Sequence, residues 1–234
     1  MTTSGTYAFN PAMGEIVLYA YQNIGVRPTS VLQEHMESAR MATNMMLSRW
    51  SNQGVNLWAV DLVTVPLVEG QAKYAVDPND AEGSATNTIM ILDAYTTTSS
   101  GIDRVIMPIS RTEYASYPNK TQQGFPTSYW FDRLVSPTIT LWPVPDGSSA
   151  TILKYYRVRQ IQDANLQNGE NAEIPYRWLE AFADGLTYRL ARIWAPQMAQ
   201  LLKGQADESY EIAATQDVET VNTYISPMIG GYFR

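Results

Sequence analysis

The chain has 234 residues, no cysteine and one histidine, and its 16 Lys and Arg against 23 Asp and Glu give a formal charge of −7. Disulfides, cysteine-bound zinc and a His-His or His-Cys metal cage within one chain are therefore excluded. The acidic balance argues against a protein that works by neutralising phosphate, which needs clustered Lys and Arg, but allows one that DNA passes without sticking.

Hydrophobic residues make up 45% of the chain and charged ones only 17%, too apolar a balance for disorder. There are 15 Tyr and 6 Trp. These side chains combine contact area with a polar handle and concentrate at interfaces, so the composition points to a subunit of an assembly. No apolar run approaches the roughly 18 residues of a membrane span. The opening Met-Thr-Thr-Ser-Gly lacks the basic and apolar parts of a secretory signal. No membrane partner is expected.

In chain order, Asn10-Pro11 reads as a helix start. Met13, Ile16, Val17, Ala20 and Ile24 follow at helical spacing, with Gly25 as the stop. A capping box at Ser30–Gln33 opens a second helix, carrying Leu32, Met36, Ala39, Thr43, Met46 and Trp50 and closed by Gly54. From Leu57 the period becomes two. Glu69-Gly70 divides Val63–Val68 from Gln71–Val76 as a hairpin would. Further strands are predicted at Thr88–Tyr95, Ile102–Met107, Ser128–Leu134, Thr138–Trp142 and Ala150–Val158, with turn chemistry at Asp77–Asp80, Pro118–Lys120 and Pro145–Gly147. The helical period returns at Pro175, with Trp178, Phe182, Leu186 and Leu190 in one stripe ended by Ala195-Pro196. A fourth helix is expected from Gln197 to about Glu219. The last stretch, from Tyr224, carries one Pro and two adjacent Gly and reads as an extended tail.

The expected fold is α+β. N- and C-terminal helices form a four-helix bundle (residues 1–56 and 170–220). An antiparallel β-sandwich or barrel-like unit is inserted between them (57–169), and a tail follows (221–234). Charge is uneven: it sums to 0 over 1–56, −2 over 57–160, −6 over 161–220 and +1 over 221–234.

No site chemistry stands out. His35, between Glu34 and Glu37 and off the apolar stripe, reads as a solvated helix residue. Phosphate-cradling glycine loops and a hydrolase serine elbow are missing. Glu170, Glu173, Glu180 and Asp184 crowd a helix start, where acids favour the macrodipole. Two of them could serve glycoside hydrolysis across a cleft. The oxygen-rich run Asp77–Glu82 lacks the spacing of a calcium loop and reads as a hydrated turn. Lys154-Tyr155-Tyr156-Arg157-Val158-Arg159 is the one basic–aromatic cluster. On a strand, Lys154 and Tyr156 point one way and Arg157 and Arg159 the other. These cations could touch phosphate; with the acidic balance, contact with acids of a neighbouring subunit is favoured. No metal or cofactor is implied.

Several stretches carry a resemblance. They are Trp50-Ser-Asn-Gln-Gly-Val-Asn-Leu-Trp58, Pro108-Ile-Ser-Arg-Thr-Glu-Tyr114 with Pro118-Asn-Lys120, Gly124-Phe-Pro-Thr-Ser-Tyr129, Leu141-Trp-Pro-Val-Pro-Asp146 and Pro175-Tyr-Arg-Trp-Leu-Glu-Ala181. In this order they resemble the head-to-tail adaptor proteins of short-tailed bacteriophages, the group that includes tail tubular protein A. The resemblance implies a homo-oligomeric ring, twelvefold in similar proteins, between the portal protein and the tail nozzle. Genomic DNA would pass through it without sequence-specific binding. The helical part would face the portal and the β part the tail tube. A virion protein of the neck is implied, made in the host cytoplasm, and not an enzyme. The β region's length departs from the group, which implies loops specific to this phage's nozzle. The tail is expected to bind portal through Tyr224, Ile225, Met228, Ile229, Tyr232, Phe233 and Arg234, since it has no period by which to bury them in its own domain. The alternative from another class is a peptidoglycan-degrading glycosidase of a phage tail, using Glu173 or Glu180.

Overall fold

The structure is a computed structural model that describes residues 4–6, 9–54, 57–76, 88–166 and 169–218. The predicted turn at Asp77–Asp80 and the tail from Tyr224 lie outside these residues.

Two segments of chain build a helical layer. The first holds α1 (Met13–Asn23) and α2 (Gln33–Gln53); the second holds α4 (Leu179–Trp194) and α5 (Ala199–Gln216). Gly25, at φ +86°, ends α1 as expected, and the Gly25 and Val26 amides return to the Gln22 and Tyr21 carbonyls. Both predicted helix starts shift. The residue before α1 is Ala12, not Asn10, and Glu15 Oε2 accepts its amide at 3.1 Å. Ser30 belongs to a 3₁₀ turn, Pro28–Ser30, and α2 starts at Gln33.

His35 fills the capping role there: its Nδ1 accepts the Leu32 amide at 3.2 Å. It is not solvated, as the sequence suggested, but 8% exposed. The Trp194 ring, from the far end of α4, stacks on it at 4.1 Å, and Tyr21 of α1 meets it edge-on at 5.3 Å. The Tyr21 hydroxyl donates to the His35 carbonyl at 2.6 Å. Burial pushes that hydroxyl's pKa up to about 12. Two other helices, α1 and α4, converge on the first turn of α2, and a stripe drawn for one helix cannot register that.

α4 packs against α1, α2 and α5. Its Phe182, Leu186 and Leu190 are fully buried. Trp178 and Phe182 lie 5.2 and 6.1 Å from Trp50 of α2. Gly185 makes the approach possible, because a Cβ there would sit 2.6 Å from Met46 Sδ. The segment before α4 joins the same core through Ile161 and Ala164. The Asn44 side chain clamps the Ala164 backbone, accepting its amide at 2.8 Å and donating to its carbonyl at 3.2 Å.

Between the helical segments lies a seven-stranded sheet: β1 (Val60–Pro66), β2 (Lys73–Ala75), β3 (Thr88–Thr98), β4 (Asp103–Pro108), β5 (Ser128–Asp132), β6 (Thr138–Trp142) and β7 (Ala150–Arg159). The spatial order is β1-β7-β3-β4-β5-β6-β2. Leu57–Ala59, read as strand, is a 3₁₀ turn. The expected hairpin across Glu69-Gly70 does not form, because β1 pairs with β7 and β2 with β6. These consecutive strands are the two edges of the sheet. Laid flat, seven strands would separate the edges by roughly 29 Å, whereas the connection from Pro66 to Lys73 reaches at most roughly 25 Å. The sheet therefore curls. Buried residues from all seven strands meet in one cluster, Val65, Tyr74, Ile106, Tyr129, Leu141 and Tyr155 among them. The Tyr155 hydroxyl crosses it to the Val76 carbonyl. The fold is α+β as expected, with one curled sheet in the inserted part.

One helix escaped the sequence reading. The short α3 (Arg111–Ser116) lies between β4 and β5, which pair in parallel over only Met107↔Ser128 and Pro108↔Tyr129. Ser110 caps it, accepting the Glu113 amide at 3.1 Å.

Candidate functional site

The predicted contact cations sit on β7 and all have acids of their own chain. Lys154 Nζ lies 3.3 Å from Asp103 of β4, and the Thr97 hydroxyl followed by Lys154 holds that carboxyl below the usual range. Arg157 donates to Asp61 of β1 through Nε at 2.7 Å and Nη2 at 3.2 Å, and to Thr88 at 3.1 Å. Arg159 grips Glu173 with both terminal nitrogens, and its Nε lies 3.7 Å from Asp61. Glu173 also accepts the Gln162 amide at 3.1 Å. The result is a polar seam from β1 through β7 to the segment leading into α4. It joins sheet to helices.

That seam bears on the hydrolytic alternative. The Arg159 hydrogen bonds hold the Glu173 carboxyl below its ordinary pKa, the reverse of what a general acid needs. Asp184 moves the other way, raised chiefly by burial. Among the described residues, no group of three or more His, Cys, Asp or Glu is placed to hold a metal ion. No described helix is long and apolar enough to cross a membrane.

A second tie closes the other side of the joint. Asp217, at the end of α5, accepts the Leu57 amide at 3.2 Å and pairs with Arg177. The Arg177 guanidinium stands 6.0 Å over the Trp58 ring, which leans on Trp178 at 5.0 Å. The motif beginning at Pro175 thus docks the start of α4 onto the entry to β1.

The motifs around α3 and the Leu141-Trp142-Pro143 run also come together. Tyr117 stacks on Trp142 at 4.1 Å and Tyr114 on Trp130 at 5.5 Å. Trp142 Nε1 donates to the Asn119 carbonyl at 3.0 Å. Lys120 Nζ donates to the Ala115 and Tyr117 carbonyls and lies 5.7 Å from the Tyr114 ring centre. Lys120 thereby completes the C-terminus of a helix too short to be stable alone.

Some of what the chain leaves outward is apolar. Across β1, β7, β3 and β4, register sets Leu62 beside Tyr156, and Tyr95 beside both Lys154 and Val105. Leu62, Tyr156 and Val105 are exposed, on the face opposite Val63, Tyr155 and Ile106. Alternation on each strand predicted two faces; that the outer one gathers Leu62, Tyr156, Tyr95 and Val105 among the polar Thr64, Asp93 and Lys154 emerges only from the register.

A fold whose described ion pairs tie its own parts together, and whose outer surface carries apolar patches, has the character of an assembly subunit. The chain matches the SU10 adaptor protein family over residues 29–228 and belongs to it. This agrees with the resemblance to phage head-to-tail adaptors, and the family is one of structural adaptors. No curated protein matches the chain significantly.

Proposed function

We propose that this chain is the subunit of a ring that joins the portal protein of a phage head to the tail nozzle and continues the DNA channel. The family match over residues 29–228 carries the reading. The resemblance supplies the ring, twelvefold in similar proteins, and its place in the virion neck. The charge of −7 supports the channel, since an acidic wall repels phosphate and lets the genome slide.

In this reading the four long helices act as one bundle domain facing the portal, and the curled sheet as a second domain facing the tail tube. The polar seam through Arg159 and Glu173 and the Asn44 clamp make the joint between them stiff. Tyr224, Ile225, Met228, Ile229, Tyr232, Phe233 and Arg234 form the portal-binding tail. The outer stripe containing Leu62 and Tyr156, with Lys154 at its edge, is offered to a neighbour. Arg157 and Arg159 act from behind it by holding the strand.

Negative-stain imaging of the purified protein mixed with portal tests the reading. A ring capping the portal is expected, and removal of residues 224–234 is expected to leave the chain folded but unattached. Portals that stay bare with the full chain would contradict it.

A further inference from the structure

The two sides of α4 carry opposite charge. Glu180, Asp184 and Thr187 line a groove shared with α1 and α5. Arg189, Arg192 and Ile193 line another shared with α2. At 100° per residue the two sets are centred about 170° apart around the helix.

Each groove is also apolar. The acidic one is bordered by Tyr19, Leu201 and Ile212, the basic one by Met41, Met45 and Ile193, and all six are more than half exposed. Single exposed apolar side chains are ordinary, but three gathered beside like charge on each of two opposed faces are a pattern.

No ion pair among the described residues neutralises either side. Among the described residues, the ion pairs do not involve Glu180, Asp184, Glu208, Arg189 or Arg192. Arg189 is instead crowded by Arg49 and Arg192, and this repulsion adds to burial in lowering its pKa. On the other side, Glu180 adds to the burial that raises Asp184. Glu37, which accepts from Gln33 at 3.1 Å, also lines the basic groove, so one carboxylate stands against two guanidiniums and that side stays net positive.

We propose that neighbouring copies of this chain join through these faces, the acidic groove beside Glu180 and Asp184 of one copy receiving the Arg189, Arg192 and Met45 face of the next. The inference rests on the ring reading above and names its lateral contact. A self-complementary pair of patches on opposite sides of one helix makes a head-to-tail contact, which closes into a ring when the rotation allows. For twelve copies the two contacts of a subunit would lie about 150° apart, within the spread of these side chains. Burying the six apolar residues supplies the association, and the charges fix partner and register.

Charge reversal tests it. Glu180→Arg with Asp184→Arg makes both sides basic, and Arg189→Glu with Arg192→Glu makes both acidic. Each variant alone should lose ring formation on portal, and their equimolar mixture should regain it, which also shows that both are folded. Since Arg189 is partly buried, Arg49→Glu with Arg192→Glu serves as a second acidic variant. The chain has no cysteine, so Leu201→Cys combined with Met45→Cys should give an oxidised ladder of multimers, and either change alone none. Wild-type rings accompanied by equal rings from each reversed variant, or dimers from Leu201→Cys alone, would overturn this contact and leave the ring standing. Wild-type protein that forms no ring would overturn both.

Discussion

The sheet and the helical layer treat their charges differently. On the sheet, Lys154, Arg157 and Arg159 each have an acid of the same chain, and the buried Tyr155 and Tyr74 hydroxyls are tied to backbone. In the helical layer the interior is held by rings, with Trp50, Trp178, Phe182 and Tyr210 within about 6 Å of one another's centres in the pairs they form. The charges on the flanks of α4 have no ion pair among the described residues. Charges tied within the chain need no partner; like charges gathered beside exposed methionine and leucine are improved by one. The difference supports the helices as the place of the lateral contact proposed above, beside the apolar stripe that the sheet offers.

The comparison breaks first in the cores. Phe182→Ala removes a fully buried ring from the middle of the aromatic stack and should cost about 3–5 kcal/mol in denaturant unfolding. A loss under about 1 kcal/mol would mean that the ring cluster does not hold the helices together. Tyr155→Phe probes the sheet by its polar tie. It leaves the Val76 carbonyl without the hydroxyl that closes the curl, and about 1–3 kcal/mol should be lost. An unchanged unfolding midpoint would show that the β2 edge is held by other contacts.

Gly185→Ala should cost less, about 1 kcal/mol. The added methyl displaces Met46 from a packed core, while the helix gains from losing a glycine. Adding Met46→Ala should abolish the methyl's steric cost, so a double-mutant cycle in urea would show the coupling directly.

The smallest expected effect concerns pH. Arg159 holds the folded Glu173 pKa below its unfolded value, so this contribution is present above the ordinary Glu value of about 4.3 and fades as pH falls through the lower folded one. Glu173→Gln should therefore destabilise by under about 1 kcal/mol at pH 7, the pair being partly solvent-screened. The gap to wild type should close as pH falls below about 4.3 in chemical denaturation. A gap that stays constant with pH would remove Glu173 from the joint.

Much of the fold was legible because it is local. All seven strands and all four long helices fall where period and turn residues put them, as Thr138–Trp142 does to the residue. The pairing was not legible. β1 and β2 look like a hairpin because Glu69-Gly70 is a turn, yet each finds its partner in a distant strand. His35 was misread for the same reason: its neighbours Tyr21 and Trp194 come from other elements. α3 has six residues, too few to display a period. Of the site, the type of Lys154, Arg157 and Arg159 was readable, and their intrachain acids were not. Arg189 and Arg192 passed unnoticed because the unevenness lies around α4, while regional sums count charge only along the chain.

The central claim is a closed ring of this chain on the portal. Native mass spectrometry of the protein mixed with purified portal counts the copies. A single complex with as many adaptor chains as the ring requires, twelve by the resemblance, is the predicted result. Portal at its own mass, or carrying a scatter of one to a few copies at saturating protein, would contradict it.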